Sequence, residues 1–226
     1  MSKLRDDCFQ AGDQRMPMAE ALAILNARLD TVTNIETVAL NVAAGRLLAE
    51  DVVAALDVPP HDNAAVDGYA VCFDDLGDRD ATTLPVTGHI AAGHPLDRAA
   101  KHGEAIRIFT GAPMPAGTDT VFMQEDCALD ADGVRLPVGL ARGANRRRRG
   151  EDICKGDGVL AAGSRLRPQD IGLAATIGRT QLDVFTRLRV AVFSTGDEIH
   201  EPGTALPEGG IFDANRYTLM ALLNGM

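Results

Sequence analysis

The sequence predicts an α+β chain of more than one domain, and three observations carry that prediction. An apolar stripe recurs at helical spacing near the N-terminus. Short β-leaning runs alternate with Gly, Pro and Asp turns through the middle. A strand, a polar loop and a helix succeed one another at the end. The 226 residues are 46% hydrophobic and 24% charged, a globular composition, and at about 150 residues per domain they make one or two domains. Aromatics are only 4% and Trp is absent, so the core must be built from Ala, Val, Leu and Ile.

Taken in order, Pro17 sits where a first-turn proline is tolerated, and Met18, Leu22, Leu25 and Leu29 mark one helical stripe. Glu36–Leu40 reads as a strand, Asn41–Leu48 as a short helical turn and Asp51–Ala54 as a further extended piece. Asp57–Asn63, with Pro59 and Pro60, is a break. Five runs then suggest a small β-rich domain: Gly68–Phe73, Leu84–Ala91, Ala105–Phe109, Thr120–Gln124 and Gly133–Val138. Arg165–Pro168 leads into an apolar helix ending near Ile177, with Gly178 at its C-terminal stop. Gln181–Phe185 is a strand, Leu188–Phe193 a buried-strand run, and a helix begins near Asp213 or Ala214 and runs to Leu223. One strand and one helix cannot bury both faces of a parallel sheet. The expectation is therefore a third domain begun and cut off at Met226, with strand 189–193 covered by a neighbour or prone to aggregation.

Charge narrows the function classes. The net charge is −10, divided between residues 1–141 (10 Lys+Arg, 22 Asp+Glu) and residues 142–226 (12 against 10). An acidic, aromatic-poor chain disfavours nucleic-acid binding, while a basic tail end suits an anionic small molecule. No apolar run approaches the roughly 18–20 residues of a membrane span, and Met1–Cys8 lacks a signal-peptide stretch. Cys8, Cys72, Cys127 and Cys154 are scattered, the pattern of free thiols in a reducing cytoplasm. The five histidines (61, 89, 94, 102, 200) show no zinc-ligand spacing.

Four segments carry candidate chemistry. Asp62–Ala70 holds Asp67 next to Gly68, either a ligand-facing acid or an Asx-turn starting a strand. Ile108–Pro115 puts the Thr110 hydroxyl at a strand end, suited to an anionic oxygen or to capping the turn. Arg146–Arg149 run into Glu151 and Asp152, either a solvated face or a phosphate-directed cluster beside a metal-holding carboxylate. Ser194, Thr195, Gly196, Asp197 and Glu198 follow the apolar run where α/β ligands bind, or form a plain turn.

Together these segments resemble the molybdopterin molybdenumtransferase family, which includes the MoeA proteins and the E domain of gephyrin. The matching stretches are Leu56–Val71, Ile106–Pro115, Val121–Asp126, Arg147–Ile153, Ala162–Leu166, Val190–Glu198 and Ile211–Arg216, in colinear order. The resemblance implies insertion of molybdate into the dithiolene of adenylylated molybdopterin, with Mg2+ and release of AMP. The upstream supplier would be a molybdopterin adenylyltransferase, and the subunits would form a homodimer. It also implies a discontinuous mixed α/β linker domain (1–56 and 142–187), an inserted β-rich domain (57–141), and the first strand and helix of an α/β molybdopterin-binding domain (188–226). The active site would lie between that domain and the inserted domain of the partner. The alternative is a dimerising scaffold of the gephyrin E-domain type.

Carried over by position, Asp67, Thr110, Asp152 and Glu198 are the implied catalytic residues. Arg147, Arg148, Ser194, Thr195 and Gly196 would bind the cofactor, and Glu198 and Asp152 the metal. Ala64 and Val66 depart from the family's usual DNSAMDGYA, the first removing a hydroxyl. The family's glycine-rich pterin-binding loop and C-terminal domain have no counterpart here. The expectation is a fragment that is inactive alone.

Overall fold

The computed structural model describes residues 16–226, so Cys8 and the segment around it lie outside the described residues. The chain divides into two compact units. One is Ile35–Phe185, and the other joins the residues up to Asn34 to Thr186–Met226.

Within Ile35–Phe185, strand β1 (Ile35–Ala39) is followed by the four-residue helix α2 (Leu40–Ala43) and by β2 (Val52–Val53) and β3 (Asn63–Ala64). (Helix α1, Met18–Arg28, belongs to the other unit.) Next come β4 (Gly68–Val71), β5 (Thr82–Leu84), β6 (Val86–Ile90), β7 (Ala105–Ile108) and β8 (Thr120–Met123). Then follow β9 (Ala128–Asp130), β10 (Gly133–Leu136), β11 (Arg146–Arg147), β12 (Gly158–Leu160), helix α3 (Pro168–Thr176) and β13 (Gln181–Phe185). The central sheet runs β6-β7-β4-β8, and a second runs β5-β10-β9. The pairs β1-β13, β2-β12 and β3-β11 each bring an early strand against a late one.

Three apolar clusters hold this unit together. Ala43, Leu48, Val52 and Ala54 pack with Leu166, Ala174, Ile177, Leu182 and Val184. Ala70, Ile90, Ile106, Ile108 and Val121 form the second cluster, and Tyr69, Val71, Leu84, Phe122, Val134 and Leu136 the third. Alternate residues of β4 therefore serve two faces, as a strand with period two must when both faces are covered. Gly68 is required where β4 meets β8: a Cβ there would lie 1.7 Å from the Phe122 carbonyl oxygen.

The expected strands are present, with shifts at their ends. The run Leu84–Ala91 divides at Pro85, which has no N–H to continue a ladder, and its halves join different sheets. The turn expected over Asn41–Leu48 stops as a helix at Ala43. Leu47 and Leu48 then bridge to Arg165 and Val184, because pairing with a distant strand competes better than a helix this short. The Asp130–Gly133 turn closes a hairpin, its Asp130 carboxylate accepting from the amides of Asp132 and Gly133.

The other unit is different in kind. Its α1 buries no residue, and Met18, Leu22, Leu25 and Leu29 are all exposed. Strands β14 (Ile199–His200) and β15 (Ile211–Phe212) form a two-residue parallel pair, and helix α4 (Ala214–Asn224) begins after its N-cap Asp213. The buried strand expected over Leu188–Phe193 is absent: these residues have no ladder, and Leu188, Val190 and Phe193 are exposed. An apolar β-branched run becomes a strand only against a partner, and none of the described residues provides one.

Candidate active site

Asp67 and Thr110 meet. Asp67 sits just before β4 and Thr110 just after β7, two neighbouring antiparallel strands whose register pairs Gly68 with Ile108. One Asp67 oxygen accepts both the Thr110 amide (2.8 Å) and the Thr110 hydroxyl (2.7 Å). These bonds, with the charge of Arg107, hold the Asp67 carboxyl below its ordinary range.

The same strand ends bring in groups the sequence reading did not single out. The Arg107 guanidinium lies over the rings of Tyr69 (5.0 Å) and Phe109 (4.8 Å), donates to the Gly68 carbonyl and bonds the Gln124 side chain. The Gln124 amide N–H binds the Asp67 carbonyl. Glu125 is held below its ordinary range by the Gln124 side chain, against an opposing push from Asp67. Asp67 thus holds the Thr110 hydroxyl and feels the charges of both Arg107 and Glu125. Arg107 and Glu125 both lie inside the stretches that carry the family resemblance, and that was the available signal.

The arginine run is mostly committed to local acids. Arg147 Nη2 lies 2.6 Å from both Asp152 oxygens, and its Nε is 3.6 Å from Glu151. Arg149 pairs with Asp57 at 2.5 Å, and Arg146 is 3.4 Å from Asp62. Asp57 is held low first by the Lys155 amide and then by Arg149. Among the described residues, only the exposed Arg148 side chain of the four has no carboxylate partner. Three of the four arginines are thus paired with neighbouring acids, and Arg148 is left without one.

A single strip joins these groups. Asn63 and Ala64 pair with Arg147 and Arg146 on one side. On the other, Ala64 exchanges backbone bonds with Gly111 and Ala112, and Asn63 bridges to Pro113. The strip 63–68 thus lies between the Thr110 turn and the arginine run. No hydrogen bond or ion pair links Asp67 or Thr110 directly to Asp152 among the described residues. Two buried atoms, Asn63 Oδ1 on the strip and Arg146 Nε on the strand paired with it, have no protein partner, and such groups seek a ligand or water.

Glu198 belongs to the other unit and is described by itself. Gly196 has φ +149°, and a Cβ on it would meet the Glu198 carboxylate at 2.6–2.8 Å, so the acid folds back over a position that only glycine suits. The Glu198 carbonyl accepts from Ile211, which anchors the loop to β15. The Asp213 carboxylate caps α4 by accepting the Arg216 amide, and that bond chiefly holds it below its ordinary range.

The chain is 40% identical over 209 residues to a molybdopterin molybdenumtransferase of Haemophilus influenzae, covering 92% of this chain and 51% of that protein. It is 38% identical over 199 residues to another from Nostoc sp., covering 87% and 46%. The solved structure of the molybdopterin biosynthesis MoeA protein of Pyrococcus horikoshii OT3 matches with a TM-score of 0.86 at 34% identity, over 93% of this chain and 57% of that one. The chain spans about half the length of these relatives. Residues 16–178 match the family described as MoeA N-terminal region (domain I and II), and the chain belongs to that family.

Proposed function

We propose that this chain is the part of a molybdenum-inserting transferase that presents a fixed acid and an arginine-rich edge to an anionic substrate. The reaction is insertion of molybdate into adenylylated molybdopterin with release of AMP, in molybdenum cofactor biosynthesis. The observation that carries the reading is the Asp67–Thr110 lock at the end of the strip 63–68, whose start pairs with Arg146 and Arg147. It lies in a chain 40% identical to a protein named for this activity.

Asp67 keeps its charge at neutral pH, and its second oxygen, which takes no hydrogen bond among the described residues, would orient a cation or a donor on the substrate. Thr110, its hydroxyl proton given to Asp67, retains lone pairs for a donor. Arg148 supplies unspent positive charge for molybdate or phosphate, with Arg147 held in place by Asp152. Ser194, Thr195 and Gly196 shape the loop that presents Glu198. Asp152 and Glu198 each offer the hard oxygen donors that Mg2+ takes, so the donor chemistry of each fits; at Asp152 the ion would take the place of Arg147. A carboxylate holding Mg2+ would thereby supply charge neutralisation for the departing phosphate.

We also infer a linker domain of 1–56 and 142–187, an inserted domain of 57–141, and the opening of a third domain at 188–226. Support comes from the apolar clusters, since one draws on residues 43–54 and 166–184 and the other two on residues 64–136. A homodimer, with the site completed across subunits, belongs to the same proposal.

The test joins the downstream half of the Haemophilus influenzae relative after Met226 and follows AMP release from adenylylated molybdopterin with molybdate and Mg2+. Release that falls about 100-fold or more on Asp67→Ala supports the reading, on the scale of losing one electrostatic group. A folded chimera with no release, or release indifferent to Asp67→Ala, overturns it. The chain by itself is expected to release none.

A further inference from the structure

Cys72, Asp75 and His102 come together away from the acids and arginines described above. Their ligand atoms, the thiol sulfur, a carboxylate oxygen and an imidazole nitrogen, all lie within 4.8 Å of one another. We propose that these three side chains form a binding site for a borderline divalent transition metal, Zn2+ by its donor chemistry, with a fourth position open to solvent.

Local geometry explains how the three converge. Cys72 caps a 3₁₀ turn over Phe73–Asp75, and the Asp75 amide bonds the Cys72 carbonyl. Residues three apart eclipse on such a turn, so the thiol and the carboxylate project to one side. The turn is itself fixed: the Phe73 amide donates to Asp119 at 2.9 Å, and Arg142 spans Asp119 and Asp74. His102 arrives from the loop before β7. There the buried Glu104 accepts from the Lys101 amide, Thr87 and Arg98.

Asp75 ties the two pieces together. One of its oxygens accepts the Gly103 amide at 2.9 Å, and the other lies 2.8 Å from His102 Nδ1. The carboxylate is thus anchored by a backbone amide on one oxygen, and a metal would replace its direct contact with His102 on the other. Tetrahedral Zn2+ with bonds of about 2.0–2.3 Å needs donors roughly 3.3–3.8 Å apart. The exposed His102 ring (side chain 80% accessible) is free to turn a nitrogen toward that point. Thiolate, imidazole and carboxylate together select Zn2+ or Co2+ and exclude Mg2+, which takes oxygen. The thiol has no cap hydrogen bond to lose.

The test titrates the untagged chain with Co2+ and then Zn2+. The expected result is one equivalent of Co2+ giving a thiolate-to-cobalt charge-transfer band with intense tetrahedral d–d absorption, bleached by Zn2+. Cys72→Ser removes the charge-transfer band, and His102→Ala weakens binding at least tenfold; circular dichroism confirms that both variants fold. Cys154→Ser leaves everything unchanged. Zn2+ also slows alkylation of Cys72, located by peptide mass, without slowing that of Cys154. Absence of the band, its survival in Cys72→Ser, or unchanged affinity in His102→Ala overturns the site. None of these readouts depends on the transferase reading.

Discussion

Two apolar runs of similar character meet opposite fates. Ala105–Ile108 is a fully paired strand between β4 and β6, with Ala105, Ile106 and Ile108 wholly buried. Arg189–Phe193 carries two valines and a phenylalanine, yet it forms no ladder and Phe193 is 81% exposed. The difference lies in what surrounds each run. A strand is half a structure: its backbone groups and one or both faces must be taken up by something else.

This contrast is sharpest under mutation, with stability read from urea midpoints. Gly68→Ala should have the largest effect, about 4 kcal/mol or failure to fold, because the added carbon meets backbone rather than a side chain that can move. Ile106→Ala should cost about 3 kcal/mol, from lost burial and the cavity left behind. A loss under 1 kcal/mol would mean that the central sheet is looser than described. Acid should act next. Arg98, then Thr87 and the Lys101 amide, hold the buried Glu104 carboxyl at about 2, below its ordinary 4.5. A depressed carboxyl contributes above its unfolded pKa. Its contribution, on the order of 2 kcal/mol, is therefore lost as pH falls from about 4.5 through 2. Glu104→Gln should flatten that part of the stability–pH curve. The smallest effect is expected for Val190→Ala, under about 0.5 kcal/mol. A cost near that of Ile106→Ala would break the comparison and give residues 188–193 a buried partner.

The strands of the middle region were legible because each is a short β-leaning run between turn residues, as Ala105–Phe109 shows. Helix α3 was legible from Pro168 and Gly178, and α4 from Asp213. Illegible were the two-residue pairs such as β3-β11, where register depends on contacts more than 80 residues apart and no period can develop. At the candidate site, Asp67 and Thr110 were visible as separate motifs, but the two hydrogen bonds that Thr110 donates to Asp67 were not. Arg107 was hidden because its role comes from stacking on rings two residues away on a strand and across a ladder. Cys72, Asp75 and His102 match no ligand spacing, since a 3₁₀ turn and a loop 27 residues later create their proximity.

The bonds from Thr110 to Asp67 also bear on affinity. A free aspartate gives up rotational freedom when it captures a partner, and immobilising a flexible side chain commonly costs about 0.5–1.5 kcal/mol. Here that loss has already occurred during folding, because amide and hydroxyl together fix the torsions of the acid. Whatever meets the second oxygen encounters a rigid fixture instead of a swinging arm, and the attraction between them is spent on holding rather than on ordering.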